Sequence, residues 1–385
     1  MKLPAASNRV KSAAMSAITL AGGVSLAVIP AATLSISSRV FTLAENGVIA
    51  VAITVATFVG QLTFAAVVES RLSSHTTERR VTFPLWLAIL SLVTAAILIV
   101  NHSNVLALCI GLPVLVASLE VGRGVSVAER LDRREIWASI AVGGGALMGV
   151  LAAFSDAPWA LVPLLVGIFV ATVVRCRPVS HRASRPHTSA RVWVIADIGI
   201  TGIVFPLINT MILFVLGPIG AVLFTAISTV SGLLSIPINF LRLRLLKEHS
   251  RLDVWVSVGS LIIAVIALLI FEFAGFFSLL FGTAWSLEVT LLPLVAACAW
   301  RAASLAPTLP FTALRRLGLA RQVTILRAGA SIIAFALASI ALLTLNIVWI
   351  FAALLLAELL SGLIYEVARR RTVRAAATPV NEAFS

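Results

Sequence analysis

The chain is short of charged residues and of long polar stretches. Only 12% of its 385 residues are charged, whereas 60% are hydrophobic and the mean hydropathy is +1.08. A soluble domain is typically about 25% charged and about 45–50% apolar. Such a composition excludes a water-soluble globular fold, because a soluble fold cannot bury this much apolar surface. The longest polar connection, residues 176–190, is too short for a folded soluble domain.

Residues that usually carry enzyme or metal chemistry are also few. The three cysteines, Cys109, Cys176 and Cys298, lie far apart, which indicates neither a disulfide framework nor a metal site. The five histidines fall in loops without ligand spacing. The sequence has no phosphate-binding glycine loop followed by lysine and no nucleophile elbow. We therefore predict a protein that is not an enzyme and that uses no cofactor or metal ion.

The net charge of +13 does not indicate a nucleic-acid partner, because the basic residues are spread in small groups between apolar runs. Twelve such runs are each long enough to cross a bilayer at about 20 residues per helix. We predict an all-α polytopic membrane protein from the following runs: Ser12–Ile36, Gly47–Val68, Phe83–Val100, Val105–Ala128, Ile136–Phe154, Trp159–Val174, Val192–Val215, Ile219–Leu241, Val254–Phe271, Val289–Thr312, Val323–Leu345 and Ile347–Val367. The first run also resembles a secretory signal, although it is longer than a usual signal core.

Basic residues predict the orientation in the membrane. Of the 29 lysines and arginines, 25 fall on one side when connections are assigned to alternate sides. The other side holds only Arg39, and Arg123, Arg301 and Arg327 lie within apolar runs. Because lysine and arginine are enriched in cytoplasmic loops, both termini are expected in the cytoplasm of a cell-membrane protein.

Two halves of the chain follow the same plan. The stretch from Ser37 to Arg80 has a weak echo 173 positions later, in which a short loop containing glycine, an apolar run and a basic exit recur in the same order. We expect two six-helix bundles, residues 1–175 and 191–368, joined by a basic cytoplasmic linker, 176–190, and followed by a tail, 369–385. Six crossings per half put both halves in the same orientation, as in parallel-repeat transporters.

Three stretches carry a resemblance to a known family: SRVFTLAENGVIAVA, LFGTAWSLEVTLLPLVAACAW and LPFTALRRLGLARQVTILRAGASI. Over nearly its whole length the chain resembles the polysaccharide-flippase branch, of the O-antigen and capsule type, in the multidrug/oligosaccharidyl-lipid/polysaccharide exporter superfamily. The resemblance implies a V-shaped pair of six-helix bundles that moves undecaprenyl-diphosphate-linked sugars from the inner to the outer leaflet. The chain lacks the extra helix pair of the peptidoglycan-precursor flippases, which argues against that substrate.

The resemblance also implies partners. They are the lipid-linked oligosaccharide itself, the surrounding membrane lipids, and a polysaccharide polymerase and glycosyltransferases of the same pathway. The open alternative is a multidrug or small-cation exporter of the same superfamily, for which carboxylates rather than arginines are expected in the cavity.

Charges inside the apolar runs are the candidate substrate-binding residues, because each costs at least about 2.5–3.5 kcal/mol near mid-bilayer unless it is paired or hydrated. Arg301 and Glu358 lie near the centres of the tenth and twelfth runs. These two residues form either a fixed salt bridge or a cationic site for the diphosphate. In the second case, Glu358 either keeps Arg301 in place or takes up and releases a proton to couple transport to protons. An arginine suits a diphosphate because its planar fork binds phosphate oxygens bidentately.

Five further charges complete the candidate set: Glu120, Arg123, Asp197, Arg327 and Arg39. Glu120 and Arg123 are three residues apart on one helix face and can pair with each other. Arg123 and Arg327 can also extend to the interface. Arg39, on the outer side, either receives the diphosphate there or anchors the chain at the interface. For Glu120, Arg123, Asp197 and Arg327, a structural role competes with a role in transport.

Overall fold

A computed structural model describes residues 27–72, 81–129, 131–176, 188–238, 251–282, 285–316 and 319–382. Within these ranges every regular element is a helix. Most of the interbundle linker and the first part of the first apolar run lie outside the described residues. The helices are α1 Ala27–Val40, α2 Leu43–Phe64, α3 Leu85–Val100, α4 Val105–Ala128, α5 Asp132–Phe154, α6 Leu161–Arg175, α7 Thr188–Val215, α8 Gly217–Gly232, α9 Arg251–Phe273, α10 Phe276–Phe281, α11 Leu287–Ala303, α12 Leu305–Arg316, α13 Ala320–Leu342 and α14 Ile347–Glu382.

Within the part of the chain that the structure describes, eight helical segments are long and apolar enough to cross a membrane, and four shorter apolar helices accompany them. Together they correspond to the twelve predicted runs. The prediction of an all-α polytopic membrane protein with about twelve crossings is therefore confirmed. The tenth run is one segment by composition, yet it is divided at Ser304 into α11 and α12. Pro307 explains the division, because a proline ring clashes with the carbonyl four residues earlier, here that of Ala303.

Helix α2 begins earlier than its apolar run because of a capping box. Thr42 accepts a hydrogen bond from the backbone N–H of Glu45, and the Glu45 carboxylate accepts one from the backbone N–H of Thr42 at 2.9 Å. The helix continues through a π-helical turn, Ala65–Glu69, into Ser70–Leu72. Val67 and Val68 of this turn pack with Val121 and Val125 of α4, so the turn is part of a buried core.

The described contacts divide the chain into two compact units. Unit 1 comprises Met1–Leu213 with Gly217–Ala226, and unit 2 comprises Phe214–Leu216 with Ile227–Ser385. Helices α1 to α6 thus belong to unit 1, α9 to α14 belong to unit 2, and α8 is shared. These units follow contacts and not sequence repeats, so the six-plus-six division stays a prediction.

A glycine inside a membrane helix allows close packing with a neighbouring helix, and α5 contains the triplet Gly143–Gly145. Gly145 does so, because a Cβ there would lie 2.5 Å from the carbonyl oxygen of Pro163 in α6. Gly143 and Gly144 have open space around the corresponding position. The packing explanation is therefore confirmed for one glycine of the three.

The aromatic segment after α9 buries three of its rings. Phe277, Phe281 and Trp285 are at most 4% exposed. The rings of Phe277 and Phe281 pack against Trp285, with centroids 5.5 and 5.1 Å from its ring. The carboxylate of Glu272 accepts hydrogen bonds from Trp285 Nε1 at 2.8 Å and Thr290 Oγ1 at 2.6 Å. The aromatic residues can be recognised in the sequence. That Glu272 is the buried acceptor for the Trp285 indole N–H cannot.

Candidate functional site

One face of α14 organises the candidate site in unit 2. Phe351, Glu358 and Tyr365 are spaced seven residues apart, close to two helical turns, and therefore share this face. Phe351 and Tyr365 are buried, whereas Glu358 is only partly buried. The face thus places a carboxylate midway between two buried rings.

Arg301 is held beside the first of these rings. Its guanidinium carbon lies 4.0 Å from the centre of the Trp300 ring, within the range of a cation–π interaction. The Trp300 ring in turn lies 6.1 Å from the ring of Phe351. Trp300 is 8% exposed and Phe351 is fully buried, so Arg301 rests on a solid aromatic support.

Arg327, on α13, is held in the same way beside the second ring. Its guanidinium carbon lies 5.2 Å from the centre of the Phe311 ring of α12, and Phe311 lies 6.2 Å from the ring of Tyr365. Phe311 and Tyr365 belong to one buried core cluster. Unit 2 therefore contains the same arrangement twice. In each, an arginine lies over an aromatic ring, and that ring packs against a second ring, which belongs to α14.

Glu358 interacts electrostatically with both Arg301 and Arg327. The structure thus brings together three of the predicted residues from α11, α13 and α14. Arg301, Arg327 and Glu358 are all partly exposed, whereas the four supporting rings are buried. Two cations with one anion leave this group with a net positive charge, so the arrangement can bind an anion.

A second group of charges lies in unit 1, and sequence reasoning found only half of it. Arg175 of α6 donates from Nε and Nη2 to the two carboxylate oxygens of Glu135 in α5, at 3.1 and 2.5 Å. Its Nη1 also donates to the carbonyl oxygen of Leu119 in α4 at 3.3 Å. Both side chains are at most 3% exposed. Arg175 directly follows an apolar run, so the sequence predicts only a cytoplasmic basic residue at this position.

The predicted residues Glu120 and Arg123 belong to this same group. Glu120 interacts electrostatically with Arg123, Arg175 and Glu135. These two carboxylates and two guanidiniums balance, unlike the group in unit 2. Gly122 gives Arg175 its space, since a Cβ there would lie 2.8 Å from Arg175 Cδ. The balanced charge favours a structural role, in which the ion pairs join α4, α5 and α6.

The remaining two predicted residues lie elsewhere in unit 1. The Arg39 guanidinium lies 4.2 Å from the ring centre of Phe154, so it too has an aromatic support. Asp197 of α7 is 2% exposed, and its backbone carbonyl accepts a hydrogen bond from Thr201 Oγ1 at 2.8 Å. Neither observation assigns a transport role.

A polar contact in unit 1 joins helices from both sequence halves. Asn209 of α7 donates from Nδ2 to the carbonyl oxygen of Ala50 at 3.2 Å and to Thr225 Oγ1 at 2.9 Å. Thr54 Oγ1 lies 3.4 Å from the same nitrogen. Asn209 is fully buried, so this network fixes α2 against α7 and α8.

The described residues contain no group of three or more His, Cys, Asp or Glu side chains placed to hold a metal ion. Of the functional residues, the rings Trp300, Phe311, Phe351 and Tyr365 were missed. The seven-residue spacing of Phe351, Glu358 and Tyr365 is a signal that could have identified the α14 pair.

Comparison with solved structures identifies the fold. The chain aligns with MATE in complex with MaL6 at a TM-score of 0.57 and 14% identity, covering 94% of this chain and 96% of that chain. It aligns with the outward-facing conformation of a multidrug resistance MATE family transporter of the MOP superfamily at a TM-score of 0.55 and 13% identity, covering 94% and 96%. It also aligns with the inward-facing conformation of such a transporter, at a TM-score of 0.51 and 14% identity. This alignment covers 94% of this chain and 95% of that chain.

No family model matches the sequence, and no curated protein matches it. At 13–14% identity the structural likeness shows the fold alone. The chain is thus a multi-pass membrane protein with the fold of MATE transporters.

Proposed function

We propose that this chain is an alternating-access transporter of the MOP superfamily that flips an undecaprenyl-diphosphate-linked oligosaccharide from the inner to the outer leaflet. It acts in the cell membrane with both termini in the cytoplasm. The polymerase and glycosyltransferases of the same polysaccharide pathway are its partners. The sugar head crosses through a hydrated path while the lipid tail stays in the bilayer.

The observation that carries this proposal is the positive charge of the group formed by Arg301, Arg327 and Glu358. A charge within the membrane is costly unless it is paired or hydrated, so an excess cation there indicates a function. A diphosphate supplies the missing negative charge, and the arginine fork binds phosphate oxygens bidentately. The partly buried arginines and the buried supporting rings suit a preformed anion site.

The alternative is a multidrug or small-cation exporter. It is favoured by one observation, namely that the compared structures include multidrug resistance MATE family transporters. A site for cations requires carboxylates in excess. The group of Arg301, Arg327 and Glu358 shows the reverse, since two arginines face one glutamate. We therefore rank the alternative second.

The test compares a deletion strain with its parent. Loss of a flippase should abolish surface polysaccharide and strand the undecaprenyl-linked oligosaccharide on the inner leaflet. Complementation with Arg301→Ala should fail at normal protein abundance, whereas Arg301→Lys should restore export only partly, because lysine is a point charge. Intact surface polysaccharide together with greater sensitivity to cationic dyes would establish the exporter instead.

A further inference from the structure

Arg301 and Arg327 lie on different aromatic rings, and these rings pack against residues that are far apart on α14. Phe351 and Tyr365 are fourteen residues apart on α14, which is about 21 Å along the helix axis. Each backs a different ring, Trp300 or Phe311, and each of those rings holds a different arginine. These contacts involve four different rings.

We propose that these arrangements are two successive anion stations along α14 and that Trp300 and Phe311 are their positioning residues. The inference rests on the proposed function and adds that one diphosphate head is handed from Arg327 to Arg301. The Arg327 station is nearer the cytoplasm in the predicted topology, because Arg327 lies only seven residues after the start of α13. It therefore receives the substrate, and the Arg301 station carries it across the middle of the membrane.

Glu358 suits a handover because it interacts electrostatically with both arginines from a position between their ring supports. A carboxylate there neutralises part of the positive charge of whichever arginine the diphosphate has left. It also weakens the hold of each station on an anion. Each station then binds the anion with enough affinity to select it, but the affinity is low enough for the anion to dissociate and reach the next station.

The positioning role follows from the geometry of the guanidinium. Contact with a ring face restricts the orientation of an arginine, whose planar fork of N–H groups can bind a phosphate. Replacing the ring by leucine keeps an apolar residue but removes the cation–π contact and the flat support. The arginine then stays charged but loses its fixed orientation.

The experiment measures KM and kcat for flipping of a fluorescent polyprenyl-diphosphate sugar by the full-length protein in liposomes. Phe311→Leu should raise KM about three- to tenfold, as Arg327→Gln does, because both weaken uptake at the first station. Trp300→Leu should lower kcat by a similar factor with little change in KM, because it removes the ring support but keeps Arg301, whereas Arg301→Gln should lower kcat much further. Phe311→Tyr should retain the wild-type constants, and Trp300→Phe should give an intermediate kcat, since phenylalanine is the weaker cation–π partner.

Double variants test whether a ring and its arginine act at the same station and whether the two rings act at different stations. Phe311→Leu combined with Arg327→Gln should be little worse than either alone, because both remove the same station. Phe311→Leu combined with Trp300→Leu should show the product of the single effects. Size-exclusion profiles identify variants that fail to fold, in which case the Tyr and Phe variants carry the test.

The outcomes separate the two claims. Equal coupling in every pair, or leucine variants at both rings that change KM and kcat alike, would mean one site and would overturn the two stations while leaving the flippase intact. A wild-type protein that does not flip the diphosphate probe but transports a cationic dye would overturn the proposed function as well.

Discussion

Arg175 and Glu135 form a buried, two-pronged ion pair between α6 and α5. The two hydrogen bonds measure 3.1 and 2.5 Å, and the side chains are 1% and 3% exposed. Arg175 also reaches the carbonyl oxygen of Leu119, so a single side chain joins three helices of unit 1.

Glu135→Ala should destabilise the protein by about 3–5 kcal/mol, because it leaves Arg175 buried without its carboxylate. The measurement is the thermal unfolding of the purified protein, followed by loss of the monodisperse size-exclusion peak. The matched control is Glu366→Ala on α14, which breaks the more exposed pairs with Arg369 and Arg370. Such pairs contribute only about 0–1 kcal/mol.

A double change, Glu135→Leu with Arg175→Met, should recover most of the loss, since burying no charge costs less than burying one alone. If the double variant is as unstable as Glu135→Ala while the protein still folds, the pair is needed for more than charge balance. Unchanged stability of Glu135→Ala would contradict the role assigned to the pair.

The sequence predicts the helices far better than the charges between them. Apolar runs of about 20 residues fix the twelve crossings, because helix length in a membrane is set by bilayer thickness. The start of α2 at Leu43 was missed because its capping box, Thr42 with Glu45, lies outside the apolar run. The division at Ser304 was missed because Pro307 lies inside a continuous run.

The candidate site was predictable only as separate charges. A charge within an apolar run identifies Arg301, Glu358 and Arg327 one at a time, since each violates the composition around it. Sequence does not show which helices are neighbours, so it could not join them into one group. Glu135 and Arg175 escaped because they lie at the ends of runs, where a charge ordinarily faces water.

Asn209→Ala should destabilise the contact of α2 with α7 and α8. It removes the hydrogen bonds to Ala50 and Thr225, and such bonds between membrane helices contribute about 0.6 kcal/mol on average and up to about 1.7. We expect a loss of about 1–2 kcal/mol in the unfolding of the purified protein. Thr210→Val is the matched control, because the neighbouring Thr210 hydroxyl bonds only to Pro206 O within α7. Equal effects of the two changes would show that the network does not hold the helices together.

The orientation is testable with single cysteines in a protein that lacks its three native ones. A cysteine at Thr344, which is exposed between α13 and α14, should react with an impermeant thiol reagent added to intact cells. A cysteine at Ser184 in the basic linker should react only after the membrane is opened, because basic connections stay in the cytoplasm. Labelling of Ser184→Cys in intact cells would reverse the assignment.

Cys176, just after α6, should be an unusually slow thiol whose reactivity depends steeply on pH. Burial raises its pKa to about 11, although the nearby Arg134 guanidinium acts in the opposite direction. Only the thiolate reacts, so at pH 7 a pKa well above the usual value of about 8.5 leaves very little reactive form. In purified protein with Cys109 and Cys298 replaced by alanine, the maleimide labelling rate should keep rising about tenfold per pH unit from pH 7 to 10. A cysteine at exposed Thr344, in the background without native cysteines, should instead level off above about pH 8.5. A labelling rate for Cys176 that levels off at the same pH as this control would show that burial does not raise the pKa of its thiol.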